Sequence, residues 1–253
     1  MVDVESNICQ VLNHGGDGAV DHTFPNKPHA EALRKLRYWL TLTNPSRAMT
    51  WWEGDYPCIG PWEGVSCGAR EGFPSVGIRA NDVTRLDLSK RSIGGYLDAS
   101  IAEIDTLVHL DLANNFLAGQ VPASLGSMPR LAVLNLHNNK LSGTIPPELG
   151  NSTSLRFIGL HSNLIAGTIP QELGRMTQLL SLDLASNRLE GSIPAELGNI
   201  TALYELLVSK NKLTGPLPPE LVGCVNLGWG LPDIARHVIG CHFTQETRMR
   251  NIR

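Results

Sequence analysis

The amino-acid sequence predicts a repeat solenoid, a fold in which one short structural unit is stacked many times along an axis. An apolar residue recurs every 24 positions, from position 83 to position 203, without an insertion. After each of these positions, further apolar residues, an Asn, a Gly and a Pro keep nearly the same spacing. Such a register is typical of repeat proteins, in which each unit buries its apolar face only against its neighbours.

Composition argues against several functional classes. The chain has 253 residues, a net charge of −3 and 18% charged residues, which argues against binding nucleic acid or an anionic membrane through bulk charge. No run of about 18 apolar residues occurs, so no membrane-spanning helix is predicted. Asp3 and Glu5 stand where a secretion signal carries positive charge. Three alternatives follow: the signal has been removed, the chain is a fragment or has an incorrect gene start, or the protein stays inside the cell.

Each repeat contains a strand, a turn and a return segment. Apolar residues at offsets 0, 3 and 5, such as Leu131, Leu134 and Leu136, predict a short strand with one face turned inward. Such strands are stable when stacked copies pair edge to edge in a parallel ladder. Gly at offset 12 permits a positive φ or a close approach, and Pro at offset 15 fixes an extended segment on the convex side.

Asn recurs at offset 8, where the chain turns inward. Its amide can donate to and accept from backbone groups of adjacent coils, which would otherwise be buried without partners. Asn114, one position earlier, is expected to be exposed and to contribute little to stability. The recurring residues are Asn115, Asn139, Asn163, Asn187 and Asn211.

Residues 131–150, LAVLNLHNNKLSGTIPPELG, carry the complete repeat pattern. They match at every fixed position the plant-type leucine-rich repeat, L-x-x-L-x-L-x-x-N-x-L-x-G-x-I-P-x-x-L-G, so the chain resembles that family. The resemblance implies an α/β-type leucine-rich-repeat fold: a curved right-handed solenoid with a parallel β-sheet on its concave face and a helical N-terminal cap. In that family the concave and lateral surfaces bind peptides, small hormones or other proteins. Arg91 and Asp98 replace the Asn and Pro of the first copy, as expected of a capped end.

The segment before the repeats resembles the N-terminal cap of the same family. Apolar residues at positions 33, 36, 39 and 40 have helical spacing. Residues 58–67, CIGPWEGVSC, resemble the C-x-W-x-G-V-x-C element of the cap with two extra residues, and this resemblance implies a Cys58–Cys67 disulfide. A cap is expected because the end of a solenoid exposes apolar core and an unpaired strand edge. The alternative is two free buried thiols in a reducing compartment.

The repeats are expected to end near residue 226, because Gly230 and Pro232 occupy the next apolar positions. A short helix from about Pro232 could cover the last coil, and Cys224 either pairs with Cys241 or is a buried apolar residue. With five cysteines at least one is unpaired, and Cys9 is the expected one. The expected division is an irregular segment 1–28, an N-terminal cap 29–82, six repeats 83–226, and a C-terminal cap and tail 227–253.

Two N-glycosylation sequons occur at the same repeat offset. Asn151-Ser-Thr and Asn199-Ile-Thr lie two coils apart, so both asparagines are expected on one lateral strip. Chance also yields sequons, and modification requires that the chain be secreted.

The exposed strand positions are the expected binding surface, because the inward positions only build the core. Phe157 is the only aromatic residue at these positions, and it either anchors a partner or is a tolerated surface residue. Gly159 is expected to leave a shallow recess for a ligand group. His137 and His161 share a column on adjacent coils, but no nearby carboxylate or thiol completes a metal-ligand set, so contact with a ligand or with solvent is expected. The candidate ligand-binding residues are Val133, Asn135, His137, Phe157, Gly159, His161, Asp111 and Asp183.

The sequence predicts no catalytic function and no cofactor. It contains no phosphate-binding loop, zinc-protease motif, nucleophile elbow or kinase signature. Asp111 and Asp183 lie on an open surface without the burial that catalytic carboxylates need. We expect a recognition module that binds a protein or peptide at the cell surface, as a receptor-like ectodomain in signalling or defence. The alternatives are a secreted inhibitor of pathogen enzymes and an intracellular leucine-rich-repeat scaffold.

Overall fold

The computed structural model describes residues 27–42, 57–58, 62–68, 78–80 and 82–223. Within these ranges lie the helix α1 (Lys27–Thr41) and a set of short strands. The strands are β1 (Val65–Cys67), β2 (Val83–Asp87), β3 (Gly94–Tyr96), β4 (His109–Asp111), β5 (Phe116–Ala118), β6 (Val133–Asn135), β7 (Phe157–Gly159), β8 (Ala166–Gly167), β9 (Ser181–Asp183), β10 (Arg188–Gly191), β11 (Glu205–Leu207) and β12 (Lys212–Leu213). The expectations for Cys9, Cys224, Cys241 and a helix near Pro232 lie outside the described residues.

The main sheet confirms the predicted parallel ladder. Its strand order in the described residues is β1-β2-β4-β6-β7-β9-β11, parallel from β2 onward and antiparallel between β1 and β2. Each residue pairs with its counterpart in the next repeat, as Leu134 does with Ile158. This register places equal repeat offsets in straight columns across the sheet, with neighbours about 4.8 Å apart.

A second row of strands, which sequence analysis did not predict, follows the turn after the main sheet. β3 pairs with β5, and β10 pairs with β8 and β12, all in parallel. Paired residues are 22 positions apart in the sequence rather than 24, so that Gly95 lies beside Leu117. The sequence signal for these strands is the apolar residue at offset 10, such as Leu117. In the structure it is buried, whereas its neighbours Phe116 and Ala118 are exposed or half-buried.

Short 3-10 helices form the convex side. From the second copy to the fifth, a proline with extended backbone precedes each helix, and Pro146 has φ −64° and ψ 124°. Asp98 takes that position in the first copy, where its side chain accepts a hydrogen bond from the Ser100 N–H at 3.0 Å. A side-chain cap therefore replaces the proline. The 3-10 helices of the described residues are Ala99–Glu103, Ala123–Ser127, Pro147–Asn151, Gln171–Arg175, Ala195–Asn199 and Pro219–Gly223.

The asparagine at offset 8 binds the turn of its own coil and that of the preceding coil, as predicted. The Asn163 amide donates to the carbonyls of Leu136 and Leu160, both at 3.0 Å, and its Oδ1 accepts from the Leu141 N–H at 3.0 Å. Asn163 is buried, so water cannot replace these bonds. The same arrangement recurs at each of the other four asparagines.

The helix α1 packs against the first coil. Leu33, Leu36 and Leu40 are fully buried in the same apolar cluster as the core of the repeats. Lys35 forms an ion pair with Glu103 at 3.0 Å. Trp39 was expected on the apolar face but is 37% exposed, because it lies at the edge of the stripe formed by the three leucines.

The Cys58–Cys67 disulfide is present, with Cα atoms 5.7 Å apart, a usual separation for a disulfide. Trp62 lies between the two cysteines in the chain and is buried against the same core. Because Cys67 ends β1, the disulfide holds the strand that covers the edge of β2.

Candidate functional site

The middle of the concave face carries an apolar and aromatic surface. Phe157 on β7 pairs with Val133 on β6 and with Ser181 on β9. The Phe157 side chain is 36% exposed, and Val133 is half-buried. We call Val133, His137, Phe157 and His161 the central patch. The structure places these four residues on neighbouring coils of one face, as the sequence predicted.

The two histidines of the central patch stack on each other. Their ring centroids are 4.4 Å apart and the ring planes differ by 11°. Burial, and then the neighbouring His161, hold the pKa of His137 below its ordinary value, against the opposing effect of Asp111 and Asp183. A neutral His137 is therefore favoured, since burial disfavours the charged form of the ring and the neighbouring imidazole does so to a smaller extent.

A chain of hydrogen bonds fixes the orientation of His137. The Asn135 Nδ2 donates to Asp111 Oδ2 at 3.1 Å, which leaves the Asn135 Oδ1 to accept from His137 Nδ1. The His137 Nε2 lies 3.2 Å from Asn114 Nδ2, a donor. This pattern fits the neutral tautomer with its proton on Nδ1. Asp111 therefore positions His137 through Asn135.

Gly159 does not leave the recess that the sequence suggested. A Cβ at this position would lie 2.9 Å from Asn135 Oδ1. The space beside Gly159 is occupied by Asn135 Oδ1, which accepts a hydrogen bond from His137 Nδ1. Gly159 therefore makes room for an internal hydrogen bond rather than for a ligand group.

Asp111 and Asp183 lie on opposite sides of the central patch. One oxygen of each accepts a hydrogen bond from the backbone two residues later, Ala113 N–H at 3.0 Å and Ala185 N–H at 3.1 Å. The other Asp183 oxygen is 3.9 Å from His161 Nε2. A carboxylate thus lies nearer to the histidine pair than sequence analysis expected. Asp183 is on the coil that follows His161, two positions before the offset that the two histidines share.

Asn114 is not the exposed residue that the sequence suggested. It is half-buried, has φ 58°, and its Oδ1 accepts from Asn138 Nδ2 at 2.9 Å. The residue at this offset takes the left-handed conformation in every repeat of the described part, and Asn tolerates that conformation better than most residues. The available signal is the Asn-Asn pair at 114–115 and again at 138–139.

No group of three or more His, Cys, Asp or Glu side chains in the described ranges could hold a metal ion. In those same ranges no helix is long and apolar enough to cross a membrane. The sequon residues Asn151 and Asn199 are both exposed and end equivalent 3-10 helices.

Comparison with known proteins identifies the repeat. A family model described as Leucine rich repeat matches residues 105–165, and another described as Leucine Rich Repeat matches residues 178–200. The nodulation receptor kinase of Pisum sativum is 32% identical over 78 residues, which are 30% of this chain and 8% of that protein.

Two solved structures show the same architecture. One chain of the Arabidopsis receptor kinase HAESA complex with the peptide hormone IDA and the co-receptor SERK1 is 31% identical, with a TM-score of 0.67 over 79% of this chain and 32% of that chain. One chain of the BIR3–SERK2 complex from Arabidopsis thaliana is 30% identical, with a TM-score of 0.60 over 73% of this chain and 94% of that chain. The protein thus spans less than two thirds of HAESA and of the pea kinase. The chain belongs to the leucine-rich repeat family and is of the plant receptor-like type.

Proposed function

We propose that this protein is a non-catalytic recognition module that binds a peptide or protein through the central patch, outside the cell, as a receptor-like ectodomain. The observation that carries the proposal is the exposed ring of Phe157 beside two imidazoles that are already held in place. An exposed aromatic ring on a rigid sheet supplies contact area without a large loss of side-chain freedom on binding.

Internal hydrogen bonds prepare the central patch for a ligand. Because Asp111, Asn135 and His137 bond to one another, few side chains need to be ordered when a ligand arrives. Asp183 keeps one oxygen turned toward His161, where it can accept from a donor on the ligand. The geometry suits a ligand that places an apolar group on Phe157 and Val133 and a hydrogen-bond donor near Asp183.

The relatives support a role in receptor complexes. HAESA is in complex with a peptide hormone and a co-receptor, and BIR3 is in complex with SERK2. The match over 94% of a chain in the BIR3–SERK2 complex supports the same kind of recognition module. The Cys58–Cys67 disulfide favours an oxidising compartment, where the exposed Asn151 and Asn199 could carry glycans.

The test compares two exposed phenylalanines. The IDA peptide and the SERK1 and SERK2 ectodomains serve as binding partners, measured by biolayer interferometry against the disulfide-intact protein. We expect Phe157→Ala to weaken binding by about 2 kcal/mol, the range of interface hot spots. Phe116→Ala is the matched control, because Phe116 is 53% exposed but lies on β5, outside the main sheet.

Two results would contradict the proposal. Equal losses in Phe157→Ala and Phe116→Ala would mean that neither ring is a specific anchor. Binding that survives Phe157→Ala combined with His161→Ala would place the interface away from the central patch.

A further inference from the structure

A continuous groove runs along the solenoid between the second row of strands and the 3-10 helices. One cavity borders the first three coils and another borders the last four, and both have Thr144 and Pro147 in their walls. We call this the lateral groove. From the second coil to the sixth its floor is apolar, because offset 14 carries Val, Ile or Leu followed by the recurring proline. The floor residues at offset 14 are Val121, Ile145, Ile169, Ile193 and Leu217.

One wall of the lateral groove is a row of carboxylates. Four successive coils each contribute a glutamate at the same offset, and Asp98 of the first coil adds a fifth acid. No Lys, Arg or His is among the described residues that line the groove. None of the four glutamates forms an ion pair with another described residue. The four are Glu148, Glu172, Glu196 and Glu220.

Glycines fix the position of this acidic row. A Cβ at Gly126 would lie 2.0 Å from the carbonyl oxygen of Glu148, and one at Gly150 would lie 2.2 Å from that of Glu172. Each glutamate backbone is thus packed directly against a glycine of the preceding coil. A side chain at the glycine would push the coils apart, so the spacing of the carboxylates is set by the fold.

Two exposed aromatic residues stand at the N-terminal end of the groove. Trp39 at the end of α1 and Tyr96 on β3 line the same cavity, and Tyr96 is 41% exposed. The Tyr96 ring lies over Gly119, where a Cβ would be 2.8 Å from its Cδ1. The groove therefore has an aromatic end beside the first coil in addition to its acidic wall.

We propose that the lateral groove binds an extended, proline-containing basic segment of a partner protein. Uncompensated carboxylates above an apolar floor are complementary to Lys or Arg side chains on an apolar backbone. Aromatic-lined grooves recognise polyproline II segments, whose low flexibility reduces the cost of binding. Three residues of polyproline II span about 9.3 Å, close to two strand spacings of about 4.8 Å each in the second row of strands beside the groove. A cation at every third residue would therefore recur at about the interval of every second coil.

The test uses a fluorescein-labelled peptide of four Lys-Pro-Pro repeats and fluorescence anisotropy. We expect this peptide to bind at low ionic strength and to bind more weakly in physiological salt, whereas four Glu-Pro-Pro repeats do not bind. Glu172→Gln with Glu196→Gln should weaken binding by about tenfold. Glu31→Gln with Glu190→Gln is the matched control, because it changes the net charge equally at exposed sites outside the groove.

Each result decides the proposal. Equal weakening in the two double variants would mean that overall charge rather than the groove attracts the peptide, and would overturn it. Binding of the Glu-Pro-Pro peptide, or no binding of the Lys-Pro-Pro peptide to the intact protein, would overturn it as well. Phe157→Ala should leave the anisotropy change intact. A loss there would place the peptide on the concave face, so failure of the groove and failure of the central patch remain distinguishable.

Discussion

The first coil differs from the inner coils in the residue at offset 8, because it lacks the asparagine that each inner coil carries there. In the inner coils, each asparagine at offset 8 serves the coil before it, as Asn163 does for the Leu136 carbonyl and the Leu141 N–H. The first coil has no preceding coil, and Arg91 stands at the same offset. Its guanidinium instead forms an ion pair with Glu63, in the segment before the repeats.

The turn of the first coil is bonded by the second coil. Asn115 Oδ1 accepts from the N–H groups of Arg91 and Ile93 at 3.1 and 3.0 Å, and its Nδ2 donates to the Leu88 carbonyl at 2.8 Å. The asparagine missing from the first copy therefore has no coil to serve. The difference teaches that offset 8 stabilises a pair of coils, and that the first coil depends on α1 and the disulfide for its other side.

The largest expected effect tests the contact between α1 and the first coil. In Gly95→Ala, the new Cβ would lie 2.1 Å from the Trp39 carbonyl oxygen, at a residue with φ 99°. We expect a loss of about 3 kcal/mol in the free energy of unfolding, measured by urea denaturation. Gly215→Ala is the control at the same offset of the sixth coil, where φ is 81° but the nearest atom is 3.6 Å away.

In the control, Gly215→Ala, the free energy of unfolding should fall by only about 1 kcal/mol, because backbone strain is the only cost. Equal losses in the two variants would mean that α1 does not press on the first coil. The comparison between first and inner coils would then rest on the hydrogen bonds alone.

The next effect compares the two kinds of residue at offset 8. Asn163→Ala removes an amide that is buried and bonded to two coils, and we expect a loss of about 2 to 3 kcal/mol. Arg91→Ala removes an exposed ion pair, and we expect less than about 1 kcal/mol. Urea denaturation followed by circular dichroism measures both. Similar losses would show that Arg91 has taken over the structural role of the asparagine.

The repeat frame made most of the fold predictable. A residue type that recurs at a fixed offset predicts its structural role in every coil. This holds for the buried leucines, the Asn ladder and the extended prolines. The second row of strands escaped prediction because its pairs are shifted by two residues from the repeat period, as in Gly95 beside Leu117. Comparison of residues at equal offsets in successive repeats cannot reveal pairs whose offsets differ by two.

The candidate site was predictable by position but not by interaction. The sequence placed Phe157, His137 and His161 on one face, since that follows from the strand period. It could not show that Gly159 accommodates the Asn135 amide, or that Asn114 adopts a left-handed backbone and contacts His137. Asn135 and Gly159 share an offset on adjacent coils, whereas Asn114 and His137 do not. Both contacts depend on side-chain rotamers that no single repeat specifies.

The smallest expected effect concerns pH and separates the inner coils from the first. The pKa of His137 is lowered by burial and then by His161, with Lys90 acting in the same direction and Asp111 and Asp183 against it. Because the folded-state pKa lies below the unfolded one, the unfolded chain takes up the proton first as the pH falls. The stability that a neutral His137 contributes is therefore full above the unfolded pKa and is lost as the pH falls through the folded pKa. The first coil has Ser89 in this column and should show no such dependence of its own.

Unfolding free energies measured between neutral and mildly acidic pH should fall for the native protein and fall less for His137→Gln. His161→Gln should lie between them, because it removes the repulsion between two imidazoles but leaves the burial of His137, which is the larger cause. The same three proteins measured at neutral pH provide the control, since the lowered pKa of His137 leaves that ring neutral there. If His161→Gln steepened the fall in stability, the stacked ring would be favouring protonation of His137 rather than opposing it. The hydrogen-bonded neutral tautomer, and with it the preorganised central patch of the inner coils, would then be wrong.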